Sequence, residues 1–234
     1  MLQLFITFKL SKYSTVLLVL ITIFVIAVTM SSSQCTIGPL SEAASYYYLA
    51  EEKRWMSDNL KSRVYLEEFA RDSYENLLFS ICRFYEIVGS YPTKITVIGF
   101  DFKDHRFTDL HRAAIGFPIG NFTYVGMKPK NTNFLHSKAI SGELIAASQF
   151  RKDMYGCSNP SLMNKRIVRN PFKRTIPYVL SCPDIKDLLT WCGPELFDWK
   201  ILPWAISKSS NSNSNSNSNE GAQELNSIPG QKIK

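Results

Sequence analysis

The segment Leu66–Phe107, LEEFARDSYENLLFSICRFYEIVGSYPTKITVIGFDFKDHRF, decides the fold because a capped helix, a buried strand and a polar segment follow one another within it. Asp72 is a suitable N-cap, since a short acceptor side chain can satisfy free amide groups of the first turn, and Glu75 occupies the capping-box position. Apolar residues recur at helical spacing as far as Val88, and Gly89 follows where a left-handed residue commonly ends a helix. The pattern predicts a helix from Asp72 to Val88.

The residues after this helix predict a strand with polar side chains at its end. The run Ile95–Phe100 is short, apolar and rich in β-branched residues, which is typical of a strand covered on both faces in a parallel sheet. Open α/β sheets bind their ligands beyond the carboxyl ends of such strands. The polar side chains found there are Asp101, Lys103, Asp104, His105 and Arg106.

A helix-like segment, Thr108–Ala114, and a second short strand, Phe122–Gly126, continue the alternation of helix and strand. Strands that alternate with helices usually pair in parallel. The chain is therefore predicted to be an α/β protein with a mostly parallel, Rossmann-like sheet and helices on both faces.

Length and charge limit the class of protein. With 234 residues, 45% hydrophobic and 13% aromatic, the chain can bury a core, and its length favours one domain with appendages. Part of the net charge of +7 lies in a segment without acidic residues, which is either a solvated surface or a contact for an anionic lipid or ligand. Its basic residues are Lys165, Arg166, Arg169, Lys173 and Arg174. No nucleic-acid motif is present, so DNA and RNA are not expected partners.

Five cysteines are scattered along the chain: Cys35, Cys82, Cys157, Cys182 and Cys192. Their odd number and irregular spacing predict neither a disulfide framework nor a zinc site. Cys82 falls on the apolar face of the predicted helix and is expected in the core. A reducing compartment is therefore favoured.

Residues 1–30 form a hydrophobic segment in which Lys9 and Lys12 precede the apolar run Val16–Met30. One interpretation is a signal anchor or short transmembrane helix, close to the minimum of roughly 17 residues, which would attach the protein to a membrane. A cleaved signal peptide is disfavoured because no small-x-small cleavage site follows cleanly. The third interpretation is a buried strand at Ile23–Met30 of a cytoplasmic protein without a membrane segment.

A folded region is predicted over residues 31–206. Ser41 is a suitable N-cap for a helix from Glu42 to Met56, and a further helix is expected at Ser141–Met154. The segment Tyr155–Trp204, rich in proline, tryptophan and basic residues, indicates a packed but irregular extension.

A disordered tail is predicted over residues 207–234. The Ser/Asn repeat from Ser207 to Asn219 contains no apolar residue that could be buried. Such a composition cannot offset the entropy lost on folding.

Several separated motifs resemble the fungal branch of the YdcF-like family, which includes the SanA and ElyC types. They are PLSEAASYYYLA, EEFARDSYENLLFSICRF, KITVIGFDFKDHRF and LHRAA, followed by YGC, NPF, CP and LPW. The similarity covers Ser31–Trp204. It implies a three-layer α/β Rossmann-like fold with a polar cleft at the strand ends and a nucleotide-like or other anionic small ligand, with S-adenosylmethionine as one candidate. No settled reaction comes with the resemblance, so it leaves enzyme activity open.

The resemblance also implies a set of ligand-binding residues. Transferred position by position, these are Ser41, Glu42, Glu67, Asp72, Ser73, Asn76, Lys103 and Arg106. The chain departs from the family where a glycine pair is matched by Ser32 and Ser33, which cannot adopt glycine's conformations as cheaply. The family's first strand and glycine-containing turn have no evident upstream counterpart, so the chain is either a truncated or divergent member or has an N-terminus of unrelated sequence. In the same alignment Val25–Met30 would be a strand of the sheet.

The residues themselves are compatible with such a cleft. Ser73 and Asn76 lie on the first turn of the predicted helix, whose N-terminus offers free amides and positive potential. Lys103 and Arg106 would add two cations, which suits a phosphate or a carboxylate. The nearby carboxylates would repel a bare phosphate, so a pure phosphate cradle is not predicted.

Two functions stay open on the sequence. The first is an α/β domain that binds a small anionic ligand, in which Arg106→Ala removes binding without unfolding. The second is a membrane-tethered interaction or structural protein with a degenerate ligand site, in which Asp72 and Glu75 only cap a helix and Arg106 only pairs with a carboxylate. His111 is expected to pack or to lie at the surface rather than act as a base. No metal site is predicted, and the sequence does not define the oligomeric state.

Overall fold

The computed structural model describes residues 5–9, 41–128 and 133–206. Over these residues the protein combines helices and strands, in agreement with the predicted α/β class. The predictions for Val16–Met30, for Ser32 and Ser33, and for the tail at 207–234 lie outside the described residues. Where the chain is described, none of its helices has the length and apolar character needed to cross a membrane.

A three-stranded sheet leads into the candidate site. Its strands are β1 (Phe5–Lys9), β2 (Lys94–Phe100) and β3 (Phe122–Met127), in the order β1-β2-β3. β2 and β3 are parallel, with Ile95 opposite Phe122, as predicted from the alternation of helix and strand. β1 is antiparallel to β2, which corrects the prediction of a mostly parallel sheet for the described strands. Residues 5–9 lie far upstream of the helix–strand alternation from which parallel pairing was predicted, and the helices that lie between β1 and β2 in the chain do not make this pair parallel.

Only one face of β2 is fully buried. Ile95 and Val97 are 0% exposed, whereas Thr96, Ile98 and Phe100 on the other face are half-buried. β2 is the central strand of the sheet, as the prediction of a covered rather than an edge strand requires, but its second face is only half-buried among the described residues.

The helices surround this sheet and hold the core. They are α1 (Glu42–Glu52), α2 (Asp58–Lys61), α3 (Ser73–Val88), α4 (Arg112–Ala114), α5 (Asn133–Lys152), α6 (Pro160–Val168), α7 (Tyr178–Ser181), α8 (Lys186–Thr190) and α9 (Pro203–Ile206). The apolar side of α3, including Leu77, Ile81 and Phe84, is 0% exposed and belongs to the same core cluster as Ile95 of β2. Burial of Cys82 in this cluster confirms its predicted place in the core.

Helix α3 has the predicted limits and one unpredicted contact. Asp72 is the N-cap, its side chain accepting from the amide of Glu75, and Gly89 ends the helix with φ 72°. The Glu75 carboxylate accepts from the amide of Arg71 at 2.8 Å, one residue before the amide that a capping box would use. The Arg71 guanidinium binds the same carboxylate, and this additional charge explains the altered partner.

Two other helices differ from their predicted limits. α1 ends at Glu52 rather than Met56, because Arg54 adopts a left-handed conformation with φ 54° and Ser57 caps a separate short helix. α5 begins at Asn133, upstream of the predicted start at Ser141. The hydroxyl of Ser141 binds the carbonyl oxygen of Ser137 inside the helix, so it does not act as a cap.

A continuous helical stretch follows β2. Asp101–Lys103 form a 3₁₀ turn, Arg106–His111 are π-helical, and α4 completes the segment predicted as Thr108–Ala114. The π-helical residues include Arg106 and His111, which both face the first turn of α3 through Ser73. Wide turns of this kind often occur at functional sites.

One disulfide, Cys157–Cys192, joins the turn before α6 to the segment after α8. This corrects the expectation that the cysteines form no disulfide, and such bonds are typical of oxidising rather than reducing compartments. The partners are 35 residues apart, so their pairing depends on how the intervening helices fold and not on local spacing. Cys82 and Cys182 are buried free thiols.

Candidate ligand-binding cleft

A cleft of ≈ 230 Å³ lies where the first turn of α3, the segment after β2, α5 and α6 meet. It opens beyond the carboxyl end of β2, the expected location in an open α/β sheet. Its lining residues are Ser73, Asn76, Phe102, Lys103, Arg106, Phe107, Ala139, Gly142, Glu143, Ala146, Lys165 and Arg169. Four predicted site residues, Ser73, Asn76, Lys103 and Arg106, are therefore together in one cleft.

Arg106 is held rigidly at the base of the cleft. Its Nε and Nη2 each donate to one oxygen of the Glu143 carboxylate at 2.6 Å, and its Nη1 donates to the hydroxyl of Ser73. Both members of the ion pair are nearly buried, with side chains 7% and 9% exposed. A buried bidentate pair fixes the guanidinium geometry, but it also neutralises much of the charge that Arg106 was predicted to offer a ligand.

Lys103 has no such partner. It is 5% exposed and forms no ion pair or hydrogen bond with any residue that the structure describes. Burial lowers the pKa of Lys103 to about 8, with the charge of Arg106 acting in the same direction. The charges of Glu143 and Glu42 oppose this shift, although neither carboxylate forms an ion pair with Lys103. A buried ammonium group without a directly paired carboxylate is costly to maintain, so this side chain is a candidate contact for an anionic ligand.

Two further cations complete the lining. Burial, and then the charge of Arg169, lowers the pKa of Lys165 to about 8. Lys165 also lacks an ion pair within the described ranges, and Arg169 donates to the carbonyl oxygen of Arg71 at 2.9 Å rather than to a carboxylate. Lys103, Lys165 and Arg169 are called the cleft cations below.

A second charged group, the paired cluster, lies beside the cleft and consists of Arg71, Asp72, Glu75 and Arg166. Arg166 Nε is 2.6 Å from Asp72 Oδ2 and 3.3 Å from Glu75 Oε1. Arg71 binds the Glu75 carboxylate at 2.5 Å. Asp72, a predicted ligand residue, therefore caps α3 and pairs with Arg166 instead of lining the cleft. The negative charge that was expected to repel a phosphate is largely compensated by two arginines.

Ser41 and Glu42 lie behind the cleft at the start of α1. Ser41 caps the helix by accepting from the amide of Ala44, and its hydroxyl binds Glu68 at 2.5 Å. Burial raises the pKa of Glu42 to about 7, against the opposing charges of Arg169 and Lys103. Glu42 thus influences the cleft electrostatically, although neither residue lines it.

Glu67, also predicted to bind ligand, has a structural position. Its carboxylate accepts from the amide of Phe69 at 2.7 Å and from the hydroxyl of Tyr178 at 2.9 Å. It is 1% exposed and lies outside the cleft. The residue stabilises the loop before α3, so its assignment to the ligand site is corrected.

The walls of the cleft are aromatic on one side and small on the other. Phe102 lines it and stacks on Phe100, with ring centroids 5.5 Å apart and an interplanar angle of 13°. Along α5 the lining residues Ala139, Gly142 and Ala146 have little or no side chain. The arrangement leaves space beside an aromatic face, which suits a ring or a chain attached to an anionic group.

Four residues of the site were not among the sequence-predicted ligands: Glu143, Lys165, Arg169 and His111. Lys165 and Arg169 belong to the basic segment for which both a solvated surface and a ligand contact had been considered, and their positions in the lining match the second alternative. The same segment also contains Lys173, which is exposed. The helical spacing of Lys165 and Arg169 does not distinguish them in the sequence, because Arg169 and Lys173 are also four residues apart.

His111 is completely buried at the inner edge of the cleft. Its Nε2 is 2.8 Å from Ser73 Oγ, and its ring packs edge-on against Phe150 with centroids 4.6 Å apart. Of the two positions considered for His111, packing and surface, the structure shows packing. Burial, followed by the charge of Arg106, lowers the pKa of His111 well below its usual range, so the imidazole is neutral.

The described residues contain no group of three or more histidine, cysteine or acidic side chains that could hold a metal ion. The lining offers ammonium, guanidinium, hydroxyl and amide groups. These groups suit an oxyanion such as a phosphate, sulfate or carboxylate.

Comparison with known proteins identifies a relative in yeast. An uncharacterized protein of Saccharomyces cerevisiae (strain ATCC 204508 / S288c), YOR238W, is 34% identical to this chain, and the alignment covers 60% of each of the two chains. The chain thus matches less than two thirds of the length of that relative. No protein-family profile and no solved structure matches the chain. Because the yeast protein is itself uncharacterized, the similarity supplies no activity.

Proposed function

We propose that the protein binds a small molecule through an anionic group, a phosphate or carboxylate, in the cleft beyond the carboxyl end of β2. The observation that carries the proposal is Lys103, an almost fully buried ammonium group that lines the cleft and forms no ion pair in the described part of the chain. A bound oxyanion would supply an ion-pair partner.

The other cleft cations support this proposal. Lys165 and Arg169 line the same cleft, whereas its only lining carboxylate, Glu143, is bound on both oxygens by Arg106. Among the residues that the structure describes, the lining therefore carries more cations than carboxylates, and a bound anion would balance this excess. Electrostatic attraction of this kind favours anions over neutral or cationic metabolites.

The volume of the cleft indicates that it holds only the anionic group of a ligand and the atoms next to that group. Sites for drug-sized ligands typically measure about 300–1,000 Å³, and the cleft has ≈ 230 Å³. A phosphate group with its immediate attachment fits such a space, and a larger portion, for example a base or adenosine, would extend past Phe102 toward solvent. Nucleotide-like ligands belong to the proposed class. S-adenosylmethionine offers a carboxylate, but its sulfonium and ammonium groups make it a net cation, so we expect it to bind more weakly than a nucleotide.

We also propose that the chain is a YdcF-like protein with the three-layer, Rossmann-like arrangement of that family. The parallel β2–β3 pair and the ligand-type residues beyond β2 support this assignment. No reaction is proposed.

Calorimetric titration of the full chain with inorganic phosphate, AMP and S-adenosylmethionine tests the binding. We expect at least one of them to bind wild type and Lys103→Met to weaken that binding tenfold or more, because the substitution removes a buried charge–charge contact. Lys186→Met, at an exposed lysine on α8, is the matched control and should bind as wild type does. Equal affinities of wild type and Lys103→Met would exclude the cleft as the site. Absence of binding by wild type would favour the interaction or structural function instead.

A further inference from the structure

Ser73 lies between the cleft and two buried nitrogen-containing side chains, Arg106 and His111. Its hydroxyl oxygen accepts from Arg106 Nη1 and lies 2.8 Å from His111 Nε2. Ser73 also lines the cleft. A serine beside a neutral histidine is usually considered as a nucleophile with its base, so the direction of the proton between them decides what Ser73 can do.

The direction of that proton depends on the tautomer of His111. A neutral imidazole carries one N–H group and one acceptor nitrogen. In the Nδ1–H tautomer, Nε2 would accept the serine proton; in the Nε2–H tautomer, His111 would donate to Ser73 Oγ. The geometry at 2.8 Å is compatible with both, so the environment of the other nitrogen has to discriminate between them.

That environment favours the Nε2–H tautomer. His111 is 0% exposed, and its Nδ1 is a buried atom without a hydrogen-bond partner among the described residues. The ring instead packs against aromatic side chains, Tyr74, Phe107 and Phe150. Orphaned N–H donors are rarer in protein interiors than acceptors that lack a partner. The proton is therefore better placed on Nε2, where Ser73 can accept it.

We propose that His111 is a positioning residue which, together with Arg106, donates to Ser73 Oγ and thereby turns the Ser73 hydroxyl hydrogen into the cleft. Both lone pairs of the oxygen are then occupied, so Ser73 acts as a hydrogen-bond donor toward the ligand and not as a nucleophile activated by His111. The ligand atom that it contacts must be an acceptor, as the oxygens of a phosphate, sulfate or carboxylate are. This inference rests on the proposed function and specifies which hydrogen bond Ser73 makes to a bound oxyanion.

The tautomer can be measured without a ligand. In a long-range ¹H–¹⁵N spectrum of the full chain, the His111 signals are assigned by their loss in His111→Gln; the chain contains only 3 histidines. We expect Nε2 to carry the proton and Nδ1 to resonate as an unprotonated nitrogen. A protonated Nδ1 with an unprotonated Nε2 would overturn the inference and indicate a serine–histidine nucleophile pair.

Binding of sulfate measures the consequence. Ser73→Ala should lower the affinity about tenfold or more, because a hydrogen bond to a charged group is lost, whereas Ser73→Thr, which keeps the hydroxyl, should retain most of it. His111→Gln can still donate an amide N–H toward Ser73 and should bind better than His111→Leu. The melting temperature of each variant shows whether weaker binding comes from the lost contact or from a less stable fold.

The possible failures are distinguishable. Sulfate binding that depends on Lys103 but is unchanged in Ser73→Ala would overturn this inference and leave the proposed function intact. A wild-type protein that binds none of sulfate, inorganic phosphate, AMP and S-adenosylmethionine would overturn both.

Discussion

The paired cluster and the cleft cations lie on two sides of the start of α3 and differ in whether their buried charges have ion-pair partners. In the paired cluster, the carboxylates of Asp72 and Glu75 are nearly buried, and arginines compensate both. Among the cleft cations, Lys103 is equally buried and forms no ion pair with a described residue. Residues of the same chemical types thus serve as internal structure in one group and as an open binding surface in the other.

The difference can be expressed in free energy. Removal of one partner from a buried ion pair leaves the other charge unsatisfied, which typically costs about 3–5 kcal/mol. Removal of a buried charge that had no partner relieves a cost instead. Stability measurements can therefore tell the two groups apart without knowledge of the ligand.

The largest effect is expected for Arg166→Met. Its guanidinium contacts Asp72 at 2.6 Å, and the Asp72 side chain is 0% exposed. We expect the free energy of unfolding to fall by about 3–5 kcal/mol, as measured by urea denaturation. Adding Asp72→Asn should recover part of the loss, because asparagine keeps the N-cap of α3 without the buried charge. If Arg166→Met has the stability of wild type, the paired cluster is not a structural unit.

The disulfide Cys157–Cys192 is expected to stabilise the helix that contributes to both the paired cluster and the cleft cations. It anchors the turn before α6, the helix that carries Lys165 for the cleft and Arg166 for the paired cluster. Cys157→Ser/Cys192→Ser should lower the free energy of unfolding by about 2–4 kcal/mol. Reductant should lower the melting temperature of wild type and leave that of the double variant unchanged. An equal response of the two proteins to reductant would contradict this role.

Lys103→Met should behave in the opposite sense to Arg166→Met. Burial holds the pKa of Lys103 at about 8, compared with 10.5 for the free side chain. Removal of this charge should leave the free energy of unfolding at pH 7 unchanged or raise it, by at most about 3 kcal/mol. Urea denaturation in the absence of phosphate and sulfate provides the test. A loss of stability comparable to that of Arg166→Met would mean that Lys103 has a structural partner, and the contrast between the two groups would fail.

The local part of this architecture was predictable from the sequence. The cap at Asp72, the left-handed Gly89, the strand β2 and its parallel neighbour β3 all follow from patterns within a few residues. The same holds for the approach of Ser73, Asn76, Lys103 and Arg106, since a helix start and a strand end of adjacent elements meet at one edge of a sheet. The cap and the helix end depend on short-range sequence, whereas the approach of these four residues follows from the order of helix and strand along the chain.

The remainder depends on contacts between distant residues. Glu143 pairs with Arg106 across 37 residues, and Arg166 pairs with Asp72 across 94. No local pattern reveals which carboxylates find an arginine, so Asp72 and Glu67 were assigned to the ligand site although both are satisfied within the fold. The antiparallel β1 and the disulfide were missed for the same reason.

The smallest and most specific effect is the pH dependence of binding by the cleft cations. Lys103 and Lys165 both have a pKa of about 8 in the free protein, and an anion binds the protonated forms better. Affinity for sulfate, whose charge is constant in this range, should therefore fall from pH 7.5 to pH 9.5, by up to about tenfold per pH unit for each lysine. Calorimetry at constant ionic strength measures this change in affinity, and Lys103→Met/Lys165→Met should remove it.

The stability of the sulfate-free protein should change with pH in the opposite direction to the affinity. Between pH 8 and 10.5 the unfolded lysines hold more protons than the folded ones, so their contribution to the free energy of unfolding rises with pH. An affinity independent of pH in wild type would show that these lysines do not contact the anion, and the cleft cations would then be no more open to ligand than the paired cluster.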